Sequence, residues 1–227
     1  MLKSDFHIHT SEDKKDSWIR YSAKELVKRA AELGFEVLSI TNHGTFTYDQ
    51  ELANYARQKG VVLIPGIEAY IEGRHVVVLN PKKDIENIRN FKELKEYKKK
   101  NPDIFIMAPH MFYPVFKSVH NRFFKHHDVF DGIEYSQHYS RFFNIFNKKA
   151  AKIAKKYNKS LVGTSDSHKT YQFNKTYSLV DSEKDIISVI SALKEKKIEI
   201  NTMPLSVIDC IRTVQSFLWI NVFRRFF

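Results

Sequence analysis

Short apolar runs of β type alternate with amphipathic helical runs along most of the chain, which is the pattern of an α/β protein built from successive strand and helix units. A first strand is expected over residues 2–8. Ser22 and Glu25 form an S-x-x-E capping box that starts a helix, and Gly34, just past Leu33, stops it. A strand over 36–41 follows, then a helix capped by Thr47 and Gln50 that ends before Gly60. Residues 61–64 enter a strand leading to Glu68, with 75–79 as its hairpin partner. Further strands are expected over 104–108, 132–135, 160–164, 176–180 and 198–201, with helices over 85–100, 142–157 and 184–197. Roughly seven strand and helix units in about 200 residues fit a small closed, TIM-like barrel better than an open sheet.

The histidines and carboxylates add to that expectation. His7 and His9, His43, Glu68, His110, and then Asp166 and His168 fall at or just past the C-terminal ends of expected strands. In a parallel barrel those ends meet on one face, so residues far apart in sequence would share a pocket. The strongest local signal is Asp5-Phe6-His7-Ile8-His9-Thr10, because alternate strand positions point to one side. A lone H-x-H means little; its company is Asn42-His43, Gly66-Ile67-Glu68, Pro109-His110 and Ser165-Asp166-Ser167-His168. Six of the ten histidines, the sixth being His75 in the hairpin partner, stand in these segments. His120, His126, His127 and His138 lie in helical or aromatic stretches and read as surface or structural residues. Cys210 is the single cysteine, so neither an intrachain disulfide nor a thiolate zinc finger can form, and any metal must rest on imidazoles and carboxylates.

The set D-x-H-x-H-T, T-N-H, G-I-E, A-P-H and S-D-S-H resembles the PHP family of metal-dependent phosphoesterases, named for its polymerase and histidinol phosphatase members. The likeness runs from about Ser4 to about Asn201. It implies a distorted seven-stranded (β/α) barrel with two or three divalent ions, zinc, manganese or iron. By the same resemblance His7, His9, Glu68 and Asp166 would hold one metal, Glu68 would bridge to a second on His75 and His110, and a third would sit on His43 and His168. A further ligand usually follows the H-x-H segment; Asp13 is the first choice and Asp16 the second. Where the family more often shows T-D-H, this chain has Asn42, whose amide can hydrogen-bond a neighbouring ligand but brings no negative charge.

The implied activity is hydrolysis of phosphomonoesters or phosphodiesters by a metal-bound hydroxide, with Asp166, Glu68 and His168 in the catalytic set. Two or three cations can bind phosphate oxygens, lower the pKa of a bridging water and stabilise the leaving oxygen. Ser165 and Ser167 lack a triad-like arrangement and read as shaping the loop. Arg20, Arg74 and Arg141 are candidate phosphate clamps. Two rivals stand beside this reading: a nuclease acting on RNA or DNA ends, and a metal-binding barrel with little turnover, the latter motivated by Asn42 and the spacing near Asp13.

Composition narrows the field only partly. A 43% apolar fraction, with 18 Phe, 11 Tyr, 7 Gly and 6 Pro, excludes a fibrous or disordered chain. The net charge of +11 fits small phosphorylated substrates, nucleic acid or acidic lipid without choosing among them. Many of the basic residues lie between Tyr135 and Ser165, a stretch without an acidic residue that reads as the solvated face of a helix. The N-terminus lacks the pattern of a secretory signal, which favours the cytoplasm. Residues 1–203 read as the hydrolase barrel and 204–227 as an apolar helical tail. That tail is too short to span a bilayer; it would pack on the barrel or another subunit, or lie on a membrane surface anchored by Arg224 and Arg225.

Overall fold

A first strand buried on both faces from Ser4 onward and reciprocal capping at the first helix set the opening of the fold, and the computed structural model describes residues 1–16 and 18–221. Ser17 and residues 222–227, including the expected anchors Arg224 and Arg225, lie outside the described residues, as do the side chains of Val214 and residues 216–221. In chain order the elements are β1 (Leu2–Ile8), α1 (Ala23–Glu32), β2 (Val37–Ile40), α2 (Gln50–Gln58), β3 (Val62–Ile64), β4 (Gly66–Ile71) and β5 (Arg74–Leu79). A 3-10 turn over Lys83–Asn87 precedes α3 (Phe91–Lys100), β6 (Phe105–Ala108), α4 (Arg122–Lys125), β7 (Gly132–Ser136) and α5 (Ile145–Lys156). The chain continues through β8 (Ser160–Thr164), β9 (Thr176–Val180), α6 (Ile186–Glu195), β10 (Ile198–Thr202) and α7 (Val207–Asn221).

Local chemistry explains most of these boundaries. Ser22 accepts from the Glu25 amide while the Glu25 carboxylate accepts from the Ser22 amide, so the expected capping box is present. The cap of α2 is Asp49 rather than Thr47: its carboxylate accepts the Leu52 amide at 2.7 Å, and the Thr47 hydroxyl accepts from Asn42 Nδ2 instead. The helix expected over 85–100 is divided, because Asn90 caps α3 by accepting the Glu93 amide at 2.9 Å.

The closed seven-stranded barrel is not what forms. Among the described residues the strands make two mixed five-stranded sheets, ordered β10-β9-β1-β2-β3 and β4-β5-β6-β7-β8. The pairs β1/β2, β2/β3, β6/β7 and β7/β8 are parallel, whereas β1/β9, β9/β10, β4/β5 and β5/β6 are antiparallel. Pro65 accounts for one interruption. It has no amide proton to offer a ladder, and it divides the run that the sequence presents as one strand into β3, at the edge of one sheet, and β4, at the edge of the other. Among the described residues the segment after β2 links to β4 by one isolated bridge, His43 with Glu68. At the β8/β9 seam the Ser178 hydroxyl accepts the Gly163 amide and donates to the Gly163 carbonyl, both at 3.0 Å, in place of main-chain rungs. Gly163 is required there, since a Cβ would lie 2.7 Å from Ile200 Cγ2 and 3.0 Å from the Tyr177 carbonyl oxygen.

The two sheets still face one another across a common core. Phe6, Val37 and Ile64 from the first meet Val77, Leu79, Phe105, Met107 and Val162 from the second, and α6 closes one end with Val189, Ile190 and Leu193. On the outer faces, α1 and α2 cover the first sheet, and α3, α4 and α5 cover the second. Packing α6 against the start of β8, where Ser160 Oγ bonds the Leu193 carbonyl, leaves the opposite end free. There β1, β2, β6, β7 and β8 end. Among the described residues no helix is long and apolar enough to cross a membrane.

Candidate metal centre

Strand alternation on β1 sends Phe6 and Ile8 into apolar clusters and turns Asp5, His7 and His9 together toward the open end, where all three are fully buried. The backbone there is held by Asp5, whose carboxylate accepts the amides of Ser165 and His7 at 3.1 and 3.3 Å. Burial pushes the Asp5 pKa up to about 7 against those hydrogen bonds. The loop after β1 brings Asp13 and Asp16, β2 leads to His43, β4 and β5 carry Glu68 and His75, β6 leads to His110, and β8 leads to Asp166 and His168. His110 and Asp166 sit at φ 31° and 47°, left-handed backbone that costs non-glycine residues about 1–3 kcal/mol and clusters at functional sites. Among the described residues Asn42 hydrogen-bonds none of these side chains. It accepts the Thr10 amide at 2.8 Å and donates to the Thr10 and Thr47 hydroxyls, clipping two loops together.

All nine residues expected as metal ligands come together in one contact network, and the proton on most rings is fixed by its other partner. His7 Nδ1 lies 2.7 Å from Glu134 Oε1 and His9 Nδ1 lies 3.0 Å from Asp13 Oδ2, so each ring carries its proton there and presents the lone pair of Nε2. The Ser118 hydroxyl donates to the His110 carbonyl and accepts from His110 Nδ1 at 2.9 Å. His168 Nδ1 donates to the Asp166 carbonyl at 3.1 Å. Four imidazoles therefore aim Nε2 inward. The two Nε2 atoms of His7 and His9 face each other at 3.2 Å, with Glu68 Oε2 and Asp166 Oδ1 each within 3.5 Å of both.

Glu68 is the hub. Its Oε2 lies 2.9 Å from His43 Nε2, and its Oε1 lies 2.9 Å from His75 Nδ1 and 3.2 Å from His110 Nε2. The His75 contact is too poorly aligned for a hydrogen bond, and both ring nitrogens of that buried histidine lack one among the described residues. Asp13 is saturated by contrast. Its Oδ2 accepts from His9 Nδ1, His43 Nδ1 and the His43 amide, and its Oδ1 accepts the amides of Lys15 and Asp16. Asp16 turns its Oδ2 to His168 Nε2 at 3.0 Å.

Charge in this pocket is pulled both ways. Burial opposes a charged His7 and His43, yet Asp166, Glu68 and Glu134 hold the first well above its ordinary pKa, and Glu68 and Asp13 raise the second to about 10. For His75 burial wins, and its pKa falls to about 4. Burial alone would raise Glu68 and Asp166, but the surrounding imidazoles hold both far below the usual carboxylate range. Such a pocket favours positive charge, for which protons and a divalent cation compete at the same lone pairs. Four overlapping groups place three donor atoms within 4.8 Å of one another: His7, His9 and Asp166; His43, Glu68 and His75; His9, His43 and His168; and Asp13, Asp16 and His43. The donor set, oxygen and imidazole nitrogen with no thiolate, suits zinc, manganese or iron.

Sequence reasoning missed two contributors. Glu134 is buried on β7, bonds His7, and also accepts from the Thr164 hydroxyl and the His110 amide, so three ligand-bearing strand ends meet on one carboxylate. The signal was present: Gly132-Ile133-Glu134, which opens β7, repeats the tripeptide Gly66-Ile67-Glu68 that opens β4. His138, read as surface or structural, reaches Asp166, with Nε2 3.5 Å from Oδ2. Of the arginines considered as clamps, Arg74 is occupied by the Phe116 carbonyl and ring. Lys14, Lys15 and Arg89 line a cavity of about 360 Å³ that His43 also borders, with Tyr70, Ile67, Ile85 and Ile88 among its other walls.

The family model for the PHP domain matches residues 5–203. No curated protein matches the sequence. Among solved structures, the chain is similar to a two-domain protein from Bacteroides vulgatus ATCC 8482 that contains a predicted PHP-like metal-dependent phosphoesterase. The TM-score is 0.68 at 18% identity, covering 95% of this chain and 69% of that one. PsfC from Pseudomonas syringae PB-5123 gives a TM-score of 0.63 at 14% identity, covering 96% of this chain and 97% of its own. An amidohydrolase from Chromobacterium violaceum, solved with bound sulfate and no metal, gives 0.61 at 14% identity, with 86% of this chain and 97% of the other covered.

Proposed function

The chain belongs to the PHP domain family, and from that premise we propose that it is a metal-dependent phosphoesterase that hydrolyses small phosphate esters. The observation that carries this reading is the convergence of His7 Nε2, His9 Nε2, Glu68 and Asp166 on one point, with the far side of each imidazole already bound to a carboxylate. Lone pairs facing one another in a buried pocket repel unless a proton or a metal cation lies between them, and two carboxylate oxygens beside the pair make the point one that a divalent cation fits. The phosphoesterase domain named in the Bacteroides neighbour supports the same class of chemistry.

His7, His9, Glu68 and Asp166 would hold one ion, and Glu68 with His75 and His110 a second. His43 and His168 would hold a third, completed by Asp16 rather than Asp13, because Asp13 is already saturated while Asp16 Oδ2 faces the His168 lone pair. Bound divalent cations supply Lewis acidity toward phosphate oxygens and an acidified water. Glu68 and Asp166 balance charge, and Glu134 and Asp13 hold His7 and His9 in the tautomer that binds. His138, against Asp166 Oδ2 at the mouth, is placed to pass a proton to the leaving oxygen. Lys14, Lys15 and Arg89 bind the outer phosphate oxygens, and the apolar wall of the cavity takes the ester group. At about 360 Å³ that cavity matches a small-molecule ester better than an oligonucleotide.

Phosphate release from small monoesters and diesters, with zinc or manganese added, tests the proposal. Metal-dependent turnover that Asp166→Asn abolishes is expected. No release with any of these ions, or hydrolysis confined to amides as in the amidohydrolase neighbour's class, would overturn it. Activity restricted to oligonucleotide ends and suppressed by salt would establish the nuclease instead.

A further inference from the structure

Seven large apolar side chains stand in water in two segments that share one bridge. Phe142, 93% exposed, Phe143 and Ile145 lie in the β7–α5 loop and at the start of α5; Met203, Val207, Ile208 and Ile211 lie between β10 and the second turn of α7. Ser140 is bridged to Leu205, the Leu205 amide donates to the Tyr139 carbonyl at 2.9 Å, and the Tyr139 and Thr202 hydroxyls are 3.0 Å apart. The two segments therefore leave the fold side by side. Single exposed apolar residues are ordinary, but a contiguous group of this size marks a surface that something covers.

The charges beside the group select what covers it. Ile145, Lys148, Lys149 and Lys152 follow the i, i+3, i+4, i+7 spacing that puts them on one face of α5, and all four are exposed. Arg141 is exposed in the loop, and no acidic residue occurs between Tyr135 and Ser165. The acidic residue of the α7 segment, Asp209, is buried and accepts from the Ser206 hydroxyl at 2.8 Å. A two-fold contact with a second copy would set this lysine stripe near its own image. A nucleic acid would leave Val207, Ile208 and Ile211 uncovered.

We infer that this face docks on an acidic lipid bilayer, with Phe142, Phe143 and the apolar residues of α7 entering the headgroup boundary and the lysine stripe of α5 meeting anionic headgroups. The docking loop is continuous with His138, which contacts Asp166, so the β7 side of the metal centre is held toward the lipid. Docking stands independently of the phosphoesterase reading.

Co-sedimentation of the full chain with phosphatidylcholine vesicles, with or without about 30 mol % phosphatidylserine, tests the inference. Binding to the acidic vesicles is expected to exceed binding to neutral ones by about tenfold or more. Phe142→Asp combined with Val207→Asp should weaken it by about tenfold or more, and Lys148→Glu combined with Lys152→Glu by about tenfold. Both pairs change exposed side chains, so the fold is retained and a melting curve verifies it. Equal binding to neutral and acidic vesicles would overturn the inference. So would binding that survives the Phe142 and Val207 changes, which would report diffuse attraction alone. A lipid-free dimer that those changes abolish would assign the face to a second copy and equally overturn it.

Discussion

At the strand ends, histidines and carboxylates are buried within hydrogen-bond distance of one another; around the β7–α5 loop and α7, phenylalanine, valine and isoleucine side chains stand in water. Each region departs from ordinary burial in the opposite sense, and the departures differ in what they need. Buried charges are costly unless each is paired, so the metal centre is tied internally from Glu68 outward. The exposed apolar side chains carry no charge that must be paired, and their exposure costs the folded chain little. Changes in the first region should therefore damage activity and ion binding, and changes in the second should leave both alone.

The sharpest way to break that contrast is at the hub. Glu68→Gln keeps the shape but places an amide among His43, His75 and His110, each of which now faces the carboxylate. Because changing a group that merely supports a metal ligand costs about 10–100-fold, loss of the shared ligand should exceed about 100-fold in turnover and empty part of the site. Phosphate release and elemental analysis on the same preparation check this, and full activity with full metal content would remove Glu68 from the centre. Chelation should act next most strongly. An ion present at about 100 times its dissociation constant stabilises the native state by about 2.7 kcal/mol, so stripping it should lower Tm by roughly 5–10 °C in a chain of this size. Scanning calorimetry before and after chelator treatment decides it; an unchanged Tm would mean that the pocket holds no tightly bound ion.

How much of this was legible beforehand depends on which physical signal carried it. The spacing of His7 and His9 on a strand, and the placing of His43, Glu68, His110, Asp166 and His168 at strand exits, are local facts, and they were enough to draw those seven residues together; Asp13, and His75 as a ligand, rested on the family resemblance. Sheet closure is not local. Periodicity reports which face of a strand is buried but not the direction of its neighbour, so the split at Pro65 and the antiparallel placement of β9 were invisible to it, whereas the hairpin of β4 with β5 was expected from the short link between them. Glu134 was missed for a related reason. Without a histidine beside it a strand carboxylate reads as an ordinary polar residue, although its tripeptide repeats that of Glu68.

Glu134 offers a smaller and more discriminating test. It touches His7, Thr164 and the His110 backbone, but lies on the side of His7 away from the converging lone pairs. Glu134→Gln keeps a hydrogen-bond acceptor for His7 Nδ1 while removing the charge, so a loss of about 10–100-fold in metal affinity or activity is expected, below that of Glu68→Gln. Titrating the ion back should recover part of the activity. If excess metal restores nothing while the fold is intact, Glu134 acts on the reaction and not through the orientation of His7.

The smallest effect is the one that isolates the second region. Phe142 is 93% exposed, so Phe142→Asp removes almost no buried area, and an exposed substitution of this kind is expected to change stability by no more than about 0.5 kcal/mol. Its turnover on a soluble ester should equal that of the parent, and chelation should lower its Tm by the same interval, because Phe142 lies beyond His138 in the β7–α5 loop and it is His138 that contacts Asp166. A melting curve with and without chelator measures both quantities on one sample. A Phe142→Asp chain with a much lower Tm would show that the phenylalanine is packed in solution, and one with weakened ion binding would show that the apolar face and the metal centre are a single coupled unit.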